Sequence, residues 1–70
     1  MVNKTEFYFT NREKNIIEYI KLGYSNKQIA KTLYISLGTV KKHVSSIINK
    51  TNAINRVNLI FILAKNKYFN

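Results

Sequence analysis

The sequence has no cysteine, no proline and no tryptophan, and it has only 2 glycines in 70 residues. The absence of cysteine excludes disulfide bonds and thiolate metal sites, so the stability of the chain depends on packing. No stretch is rich in proline or glycine, so nothing marks a linker between domains. The length is that of one small domain, and an apolar share of 46% predicts that the chain folds.

Long apolar runs are also absent. No stretch reaches the roughly 18 consecutive apolar residues that a membrane helix needs, and the N-terminus has no apolar region of signal-peptide length. The sequence therefore predicts a soluble, cytoplasmic protein with no membrane partner. His43 is the only histidine, and it lacks the cysteine, aspartate or nearby glutamate partners of a metal site or a catalytic triad. We therefore expect no metal, no cofactor and no enzymatic activity.

Acidic side chains are few and confined to the first part of the chain. The 3 acidic residues stand against 12 lysines and arginines, which gives a net charge of +9. Residues 1–18 sum to zero, and residues 19–70 contain no acid. A folded domain with this unopposed basic charge favours a polyanionic partner, most commonly nucleic acid. An anionic membrane surface, or lysines that serve only solubility, would also account for the charge.

Capping residues and the spacing of apolar residues predict four helices and no strand. The predicted helices span about residues 11–22, 26–34, 37–50 and 56–66. Each follows a residue with N-capping character: Thr10, Ser25, Ser36 and Asn55. Glu13 and Gln28 complete capping boxes in the first two helices, and Gly23 and Asn52 can adopt the left-handed conformation that ends a helix. The short connection over residues 34–36 has the length of a helix-turn-helix turn, so the predicted fold is all-α.

The third predicted helix has an apolar side and a polar side. Val40, Val44, Ile47 and Ile48 fall in one stripe at about 100° per residue, which predicts the core side. The other side carries cations, hydroxyls, an amide and no acid: Gly38, Thr39, Lys41, Lys42, His43, Ser45, Ser46 and Asn49. This composition suits the major groove of DNA, where lysine donates to guanine O6 and N7. A solvated helix face would account for the lysines and the asparagine equally well.

The start of the second predicted helix is suited to a phosphate. Ser25, Asn26 and Lys27 bring a hydroxyl, an amide and an ammonium to the end of a helix whose first N–H groups are free. Capping alone would also explain Ser25. For His43, a packing or phosphate-contact role fits the surrounding residues better than catalysis.

Several segments together resemble the LuxR-type, or GerE-like, helix-turn-helix DNA-binding domain of bacterial response regulators. Residues 9–13 (FTNRE) are similar to the family's opening L-T-x-R-E, and residues 23–30 (GYSNKQIA) to its G-x-S-N-K-E-I-A. Residues 35–44 (ISLGTVKKHV) are similar to I-S-x-x-T-V-K-x-H-V, and residues 55–56 to the D/N-R that opens the last helix. The resemblance predicts a four-helix domain over residues 9–66, with an extension over 1–8 and a tail over 67–70.

The resemblance also implies roles for single residues. The positions that reach base edges are those of Lys41, Lys42 and Ser45. Positions at or near the DNA backbone are those of Ser25, Asn26, Lys27, Thr39 and His43, and the polar side of the third helix adds Asn49. By the same resemblance, Glu13 is structural. Residues 51–53 (TNA) depart from the family's usual L-G-V, so we expect the turn before the fourth helix to be less tightly packed. Some members carry a second basic or polar residue where Ser45 stands, which leaves base specificity open.

The fourth predicted helix has more apolar surface than one core can bury. Residues 59–64 (LIFILA) wrap more than half of a helix, so an apolar surface is left beside the core face. Pairing of two copies about a two-fold axis, in solution or only on DNA, would cover it, and the resembling family pairs through this helix. The predicted interface consists of Val57, Ile60, Phe61 and Ala64. Alternatively, the aromatic residues 7–9 fold back over this helix.

The sequence thus predicts a dimeric, sequence-specific transcription regulator with double-stranded DNA, a second copy and RNA polymerase as partners, associated with the nucleoid when bound. Two alternatives stay open. Residues 36–41 (SLGTVK) also resemble the recognition helix of sigma-factor region 4, and the apolar run would suit a cationic membrane-surface or protein-docking module. Because little sequence precedes the first motif, we expect either a stand-alone regulator or a fragment of a larger one.

Overall fold

The computed structural model describes residues 7–66 and 68, and these residues form four α-helices and no strand. The helices are α1 (Asn11–Lys21), α2 (Asn26–Leu33), α3 (Leu37–Thr51) and α4 (Arg56–Lys65). The predicted all-α fold is confirmed. Every helix begins where the sequence predicts, whereas α1, α2 and α4 end one residue earlier and α3 one residue later.

Each helix begins at a side-chain cap. The cap side chain accepts a hydrogen bond from the backbone N–H three residues later, at 2.8–3.1 Å. In α1 and α2 the side chains of Glu13 and Gln28 accept from the backbone N–H of the cap residue, both at 2.8 Å. Both predicted capping boxes are therefore confirmed. Because a cap depends only on residues within one turn, the sequence is sufficient to place these helix starts.

The first three helices end in the same way. A residue with positive φ follows the last turn, and the next N–H donates to the carbonyl five residues back at 2.9–3.2 Å. This Schellman geometry brings an apolar residue back against the core at each end: Tyr24, Ile35 and Ala53. The positive-φ residues are Gly23, Tyr34 and Asn52. The sequence predicts this conformation for Gly23 and Asn52, but not for Tyr34.

Helix α3 is the centre of the fold, since α1, α2 and α4 all pack against it. The buried apolar side chains form one cluster: Ile16, Ile17, Ile20, Ile29, Ala30, Val40, Val44, Ile47, Ala53, Leu59 and Leu63. Three residues, 34–36, join α2 to α3, as the sequence predicts. Within residues 7–66 and 68, none of the helices has the length and apolar character that crossing a membrane requires.

Candidate nucleic-acid interface

The polar side of α3 is open to solvent over most of its length. Lys41, Lys42, Ser45 and Asn49 are exposed, and His43 is half-buried. The stripe behind them is buried, with Val40 and Ile47 fully inaccessible. The predicted division of this helix into a core side and a free polar side is confirmed for these residues. Two cations, a hydroxyl and an amide are thus held on the outside of a helix that the core fixes in place.

Ser46 is an exception, because it belongs to the α1–α3 contact and not to the free side. Its hydroxyl donates to Oε2 of Glu13 at 2.7 Å, and Lys50 donates to Oε1 of the same carboxylate at 2.7 Å. The expectation that Ser46 shares the free polar side is therefore wrong. The physical reason is the buried carboxylate on α1, whose second oxygen takes its hydrogen bond from Ser46 on α3.

Glu13 joins α1 to α3 as a buried charge. It is 3% exposed, and it accepts hydrogen bonds from the Thr10 backbone, from Ser46 and from Lys50. Burial by itself raises the pKa of a carboxyl group, but the hydrogen bonds from Lys50, Ser46 and Thr10 outweigh it, so the pKa of Glu13 lies below its ordinary value. Glu13 is ionised at neutral pH, and it anchors the α3 helix that carries the exposed lysines.

The N-terminus of α2 provides the second group of candidate residues. Ser25 and Lys27 are exposed and Asn26 is half-buried. The Ser25 hydroxyl oxygen accepts from the Gln28 backbone N–H at 3.1 Å, so its capping role is confirmed. The Asn26 side-chain oxygen accepts from Arg56, the first residue of α4. Ser25, Asn26 and Lys27 therefore lie together at one helix end, as expected, but Asn26 also has a structural contact.

Arg56 is a site residue whose contacts the sequence does not reveal. Its guanidinium donates to the Asn26 side chain and to the Tyr24 carbonyl, 30 and 32 residues earlier in the chain. Burial lowers the pKa of the Arg56 guanidinium below its ordinary value. The sequence marks Arg56 only as the start of the last helix. Its partners depend on how α4 packs beside the start of α2, which no local spacing encodes.

Thr39 lies in the first turn of α3 and takes part in its cap. The hydroxyls of Thr39 and Ser36 are 2.8 Å apart, and either of them can be the donor. Ser36 also accepts from the Thr39 backbone N–H at 3.0 Å. The Thr39 side chain is half-buried, so it is less open than Lys41 or Lys42, which follow it on the helix.

Helix α4 carries an exposed apolar strip. Val57 is 80% exposed and Phe61 62% exposed, and Ala64 is also exposed. Ile60, the fourth residue of the predicted interface, is half-buried and packs against the core, so it borders the strip. The apolar excess predicted for this helix is therefore present at Val57, Phe61 and Ala64.

The aromatic residues before α1 pack elsewhere. Phe7 and Phe9 lie against the core, and the Phe9 ring meets the Tyr68 ring edge-on with centroids 5.5 Å apart. Tyr8 is exposed. Over residues 7–9, the alternative in which this segment covers the apolar strip of α4 is therefore wrong, because Val57 and Phe61 remain exposed and Phe9 pairs with Tyr68 instead.

Over residues 7–66 and 68, no group of three or more histidine, cysteine, aspartate and glutamate side chains lies close enough to hold a metal ion. His43 lies on the half-buried edge of the polar side of α3. The polar side of α3 and the start of α2 present lysine ammonium groups together with hydroxyl and amide groups.

Comparison with known proteins shows that the chain is similar to transcription regulators. A family model described as bacterial regulatory proteins, luxR family, matches residues 8–63. The chain is 41% identical over 63 residues to a probable transcriptional regulator, ycf29, of Porphyra purpurea, covering 90% of the chain and 30% of that protein. It is 42% identical over 57 residues to the transcriptional regulatory protein DegU of Brevibacillus brevis, covering 81% of the chain and 24% of that protein.

A third relative is the response regulator protein VraR of Staphylococcus aureus. Identity is 39% over 62 residues, covering 86% of the chain and 30% of VraR. The chain thus spans between 24% and 30% of the length of these relatives.

Proposed function

The chain belongs to the luxR family of bacterial regulatory proteins and is a DNA-binding domain of the type found in its transcription regulators, and from this premise we propose that α3 lies in the major groove of duplex DNA. The observation that carries the proposal is the polar side of α3. Its exposed residues include two lysines and no carboxylate, while Val40 and Ile47 behind them are buried. A helix held in this way can enter the groove as a rigid body.

Base reading is assigned to Lys41, Lys42 and Ser45. A lysine ammonium donates to O6 and N7 of guanine, and a serine hydroxyl can donate or accept at either kind of base pair. All three side chains are exposed. Among the described residues, none forms a side-chain hydrogen bond or ion pair with these three side chains that would have to break before they contact DNA.

Backbone contact is assigned to six residues around the base-reading group: Ser25, Asn26, Lys27, Thr39, His43 and Asn49. Phosphate contacts fix the register of a helix in the groove and carry no sequence information themselves. The cluster at the N-terminus of α2 suits this role because the free N–H groups and the positive end of the helix dipole attract an anion. Thr39 and His43 extend the cluster along the edge of α3.

Pairing of two copies through α4 completes the proposal, either in solution or only on DNA. Val57, Phe61 and Ala64 form the exposed apolar strip, with Ile60 at its border. A two-fold axis through this strip would place two α3 helices on the half-sites of a repeated sequence. Avidity then adds to the affinity of each single domain.

The relatives are named as transcriptional and response regulators, and the chain spans a minor part of each. We therefore propose that this domain supplies the DNA contact of a transcription regulator that acts in the cytoplasm on nucleoid DNA, with RNA polymerase as a further partner. The family match supports this assignment over a sigma-factor region, with which only residues 36–41 share a pattern.

The test is duplex binding by the Lys42→Ala variant. Duplexes selected from a random pool by the unaltered chain serve as the cognate probe, and a scrambled duplex serves as the random one. We expect the variant to weaken cognate binding by about 1–3 kcal/mol and random binding by less, with a steep negative dependence on salt for the unaltered chain. Fluorescence anisotropy at several salt concentrations measures both.

Lys31→Ala is the matched control, because Lys31 is an exposed lysine on α2 with no assigned contact. It should reduce binding to both duplexes slightly and equally. Equal losses on the two duplexes for Lys42→Ala would remove this residue from base reading. Binding to anionic vesicles, with no preference among duplexes, would favour the membrane-surface alternative instead.

A further inference from the structure

Arg56 makes an unusual link between two helix starts. It is the first residue of α4, and its guanidinium donates to the Asn26 side chain at the start of α2 and to the Tyr24 carbonyl just before it. Both Arg56 and Asn26 are half-buried. A planar guanidinium can donate to two acceptors in fixed directions, so it holds the Asn26 side chain in one orientation.

The chemistry of arginine determines which end of the Asn26 amide faces it. A guanidinium has donors only, so the amide oxygen must face Arg56 and the amide NH2 group must face away. No described residue accepts a hydrogen bond from this NH2 group. Because no buried side-chain nitrogen among the described residues lacks a partner, the NH2 group is accessible to solvent.

Other donors lie at the same end of α2 as that NH2 group. The backbone N–H of Gln28 is bonded to the Ser25 hydroxyl, and the N–H of Ser25 is bonded to the Gln28 side chain. The N–H groups of Asn26 and Lys27, in the first turn of α2, have no partner within the helix. The Lys27 side chain is exposed. The start of α2 thus presents N–H donors, a lysine ammonium and no carboxylate of its own, and a phosphate oxygen is the group on DNA that matches them.

We propose that Arg56 is a positioning residue for DNA: by holding the Asn26 amide oxygen, it presents the NH2 group of that amide, beside Lys27, to a phosphate of the DNA backbone. This inference rests on the proposed contact between α2 and DNA, which it deepens. The guanidinium also polarises the amide, and a polarised amide is a stronger donor. Arg56 therefore contributes to DNA affinity without touching DNA.

A double-mutant cycle separates this role from a merely structural one. Arg56→Lys keeps the charge but loses the planar two-acceptor fork. Asn26→Ala removes the amide. Affinity for a random-sequence duplex is measured by fluorescence anisotropy for the unaltered chain, each single variant and the double variant, since a phosphate contact does not depend on sequence. Circular dichroism melting checks that each variant is folded.

We expect Asn26→Ala to weaken duplex binding about tenfold, the loss typical of one hydrogen bond to a charged group. Arg56→Lys should weaken it about 3- to 10-fold in the unaltered chain and hardly at all in the Asn26→Ala background, because the two residues act on one contact. The slope of log affinity against log salt should stay unchanged in each single variant, because neither substitution removes a cation that neutralises a phosphate. Equal losses from Arg56→Lys in both backgrounds, or no loss from Asn26→Ala, would overturn the proposal.

A second pair of variants tests the phosphate contact of Asn26 even if Arg56→Lys does not fold. Asn26→Asp keeps an acceptor for Arg56 and replaces the NH2 group by a carboxylate oxygen, whereas Gln28→Glu adds the same charge on the same helix and keeps the acceptor for Ser25. We expect Asn26→Asp to melt no lower than the unaltered chain and to lose about tenfold more duplex affinity than Gln28→Glu. Equal losses would refute the role of Asn26. If the unaltered chain shows no salt-dependent duplex binding, the proposed function fails together with this inference.

Discussion

At the scale of single residues, Glu13 combines a local role with a distant one. Its carboxylate completes the capping box of α1 and accepts from Ser46 and Lys50, which lie 33 and 37 residues later. Only the first role is visible in the sequence. A carboxylate that is 3% exposed is stable as a charge only because these donors surround it. The protonation state of Glu13 therefore affects the stability of the contact between α1 and α3.

Glu13→Gln tests this with the pH dependence of unfolding. The pKa of Glu13 is lower in the folded protein than in the unfolded chain, so its contribution is present above pH ~4.5, the ordinary value, and is lost as the pH falls further. We expect the variant to lose about 1.5–3 kcal/mol of unfolding free energy at pH 7. Urea titrations between about pH 3 and 7, the range in which a carboxyl group titrates, should also show a flatter acid limb, which means a smaller fall of the unfolding free energy as the pH is lowered. Glu18→Gln, at an exposed carboxylate, is the control. A variant with the acid limb of the unaltered chain would contradict this account.

Tyr34 carries backbone strain without any packing in return. Its φ is +58° and its side chain is 94% exposed, although tyrosine rarely adopts the left-handed conformation. We expect Tyr34→Gly to raise the unfolding free energy by about 0.5–1 kcal/mol, because glycine relieves the strain and no contact is lost. Asn52→Gly is the matched control, since asparagine tolerates the same conformation at φ +60°. A lower melting temperature for Tyr34→Gly would show that the ring stabilises the turn.

At the scale of helices, local features are predictable and contacts between helices are not. Thr10, Ser25, Ser36 and Asn55 all cap helices as the sequence predicts, because a cap and its partners lie within one turn. Helical periodicity likewise predicts the buried stripe of α3. It also assigns Ser46 to the free side, since periodicity gives an angle around the helix and does not reveal a hydrogen-bonding neighbour on α1. The partners of Arg56 are beyond the sequence for the same reason.

Two adjacent serines on α3 test the division between its contact with α1 and its free side. Ser46→Ala removes the donor to the Glu13 carboxylate and should lower the unfolding free energy by about 1–3 kcal/mol. Ser45→Ala, at an exposed position, should change it by less than about 0.5 kcal/mol and should affect duplex binding instead. Urea unfolding and duplex anisotropy on both variants measure the two effects. Similar stability losses in the two variants would contradict the assignment.

At the scale of the whole molecule, the residues proposed to contact DNA and the exposed apolar strip lie on different helices. The net charge of +9 arises from residues 19–70, and the exposed lysines of α2 and α3 belong to that part. The apolar strip of Val57, Phe61 and Ala64 lies on α4. DNA contact and pairing are therefore proposed for different surfaces, and one can be altered without the other.

Phe61→Ser tests the pairing surface. Because Phe61 is 62% exposed, the variant should stay folded, with a stability change within about 1 kcal/mol. We expect it to lose self-association and the cooperative binding of a duplex with two half-sites, while binding to a single half-site is unchanged. Sedimentation equilibrium with and without duplex gives the stoichiometry. Leu22→Ser, at a residue 66% exposed on the end of α1, is the control. Two-site binding that stays cooperative in Phe61→Ser would exclude the strip as the interface.

The proposed contact between the polar side of α3 and DNA is tested most directly by nuclear Overhauser effects in a complex with a selected duplex. We predict that the side chains of Lys41, Lys42 and Ser45 show Overhauser effects to major-groove protons, namely cytosine H5 and thymine methyl groups, with amide shift changes along α3 and at the start of α2. Shift changes confined to α4, with α3 unchanged on binding, would contradict the account.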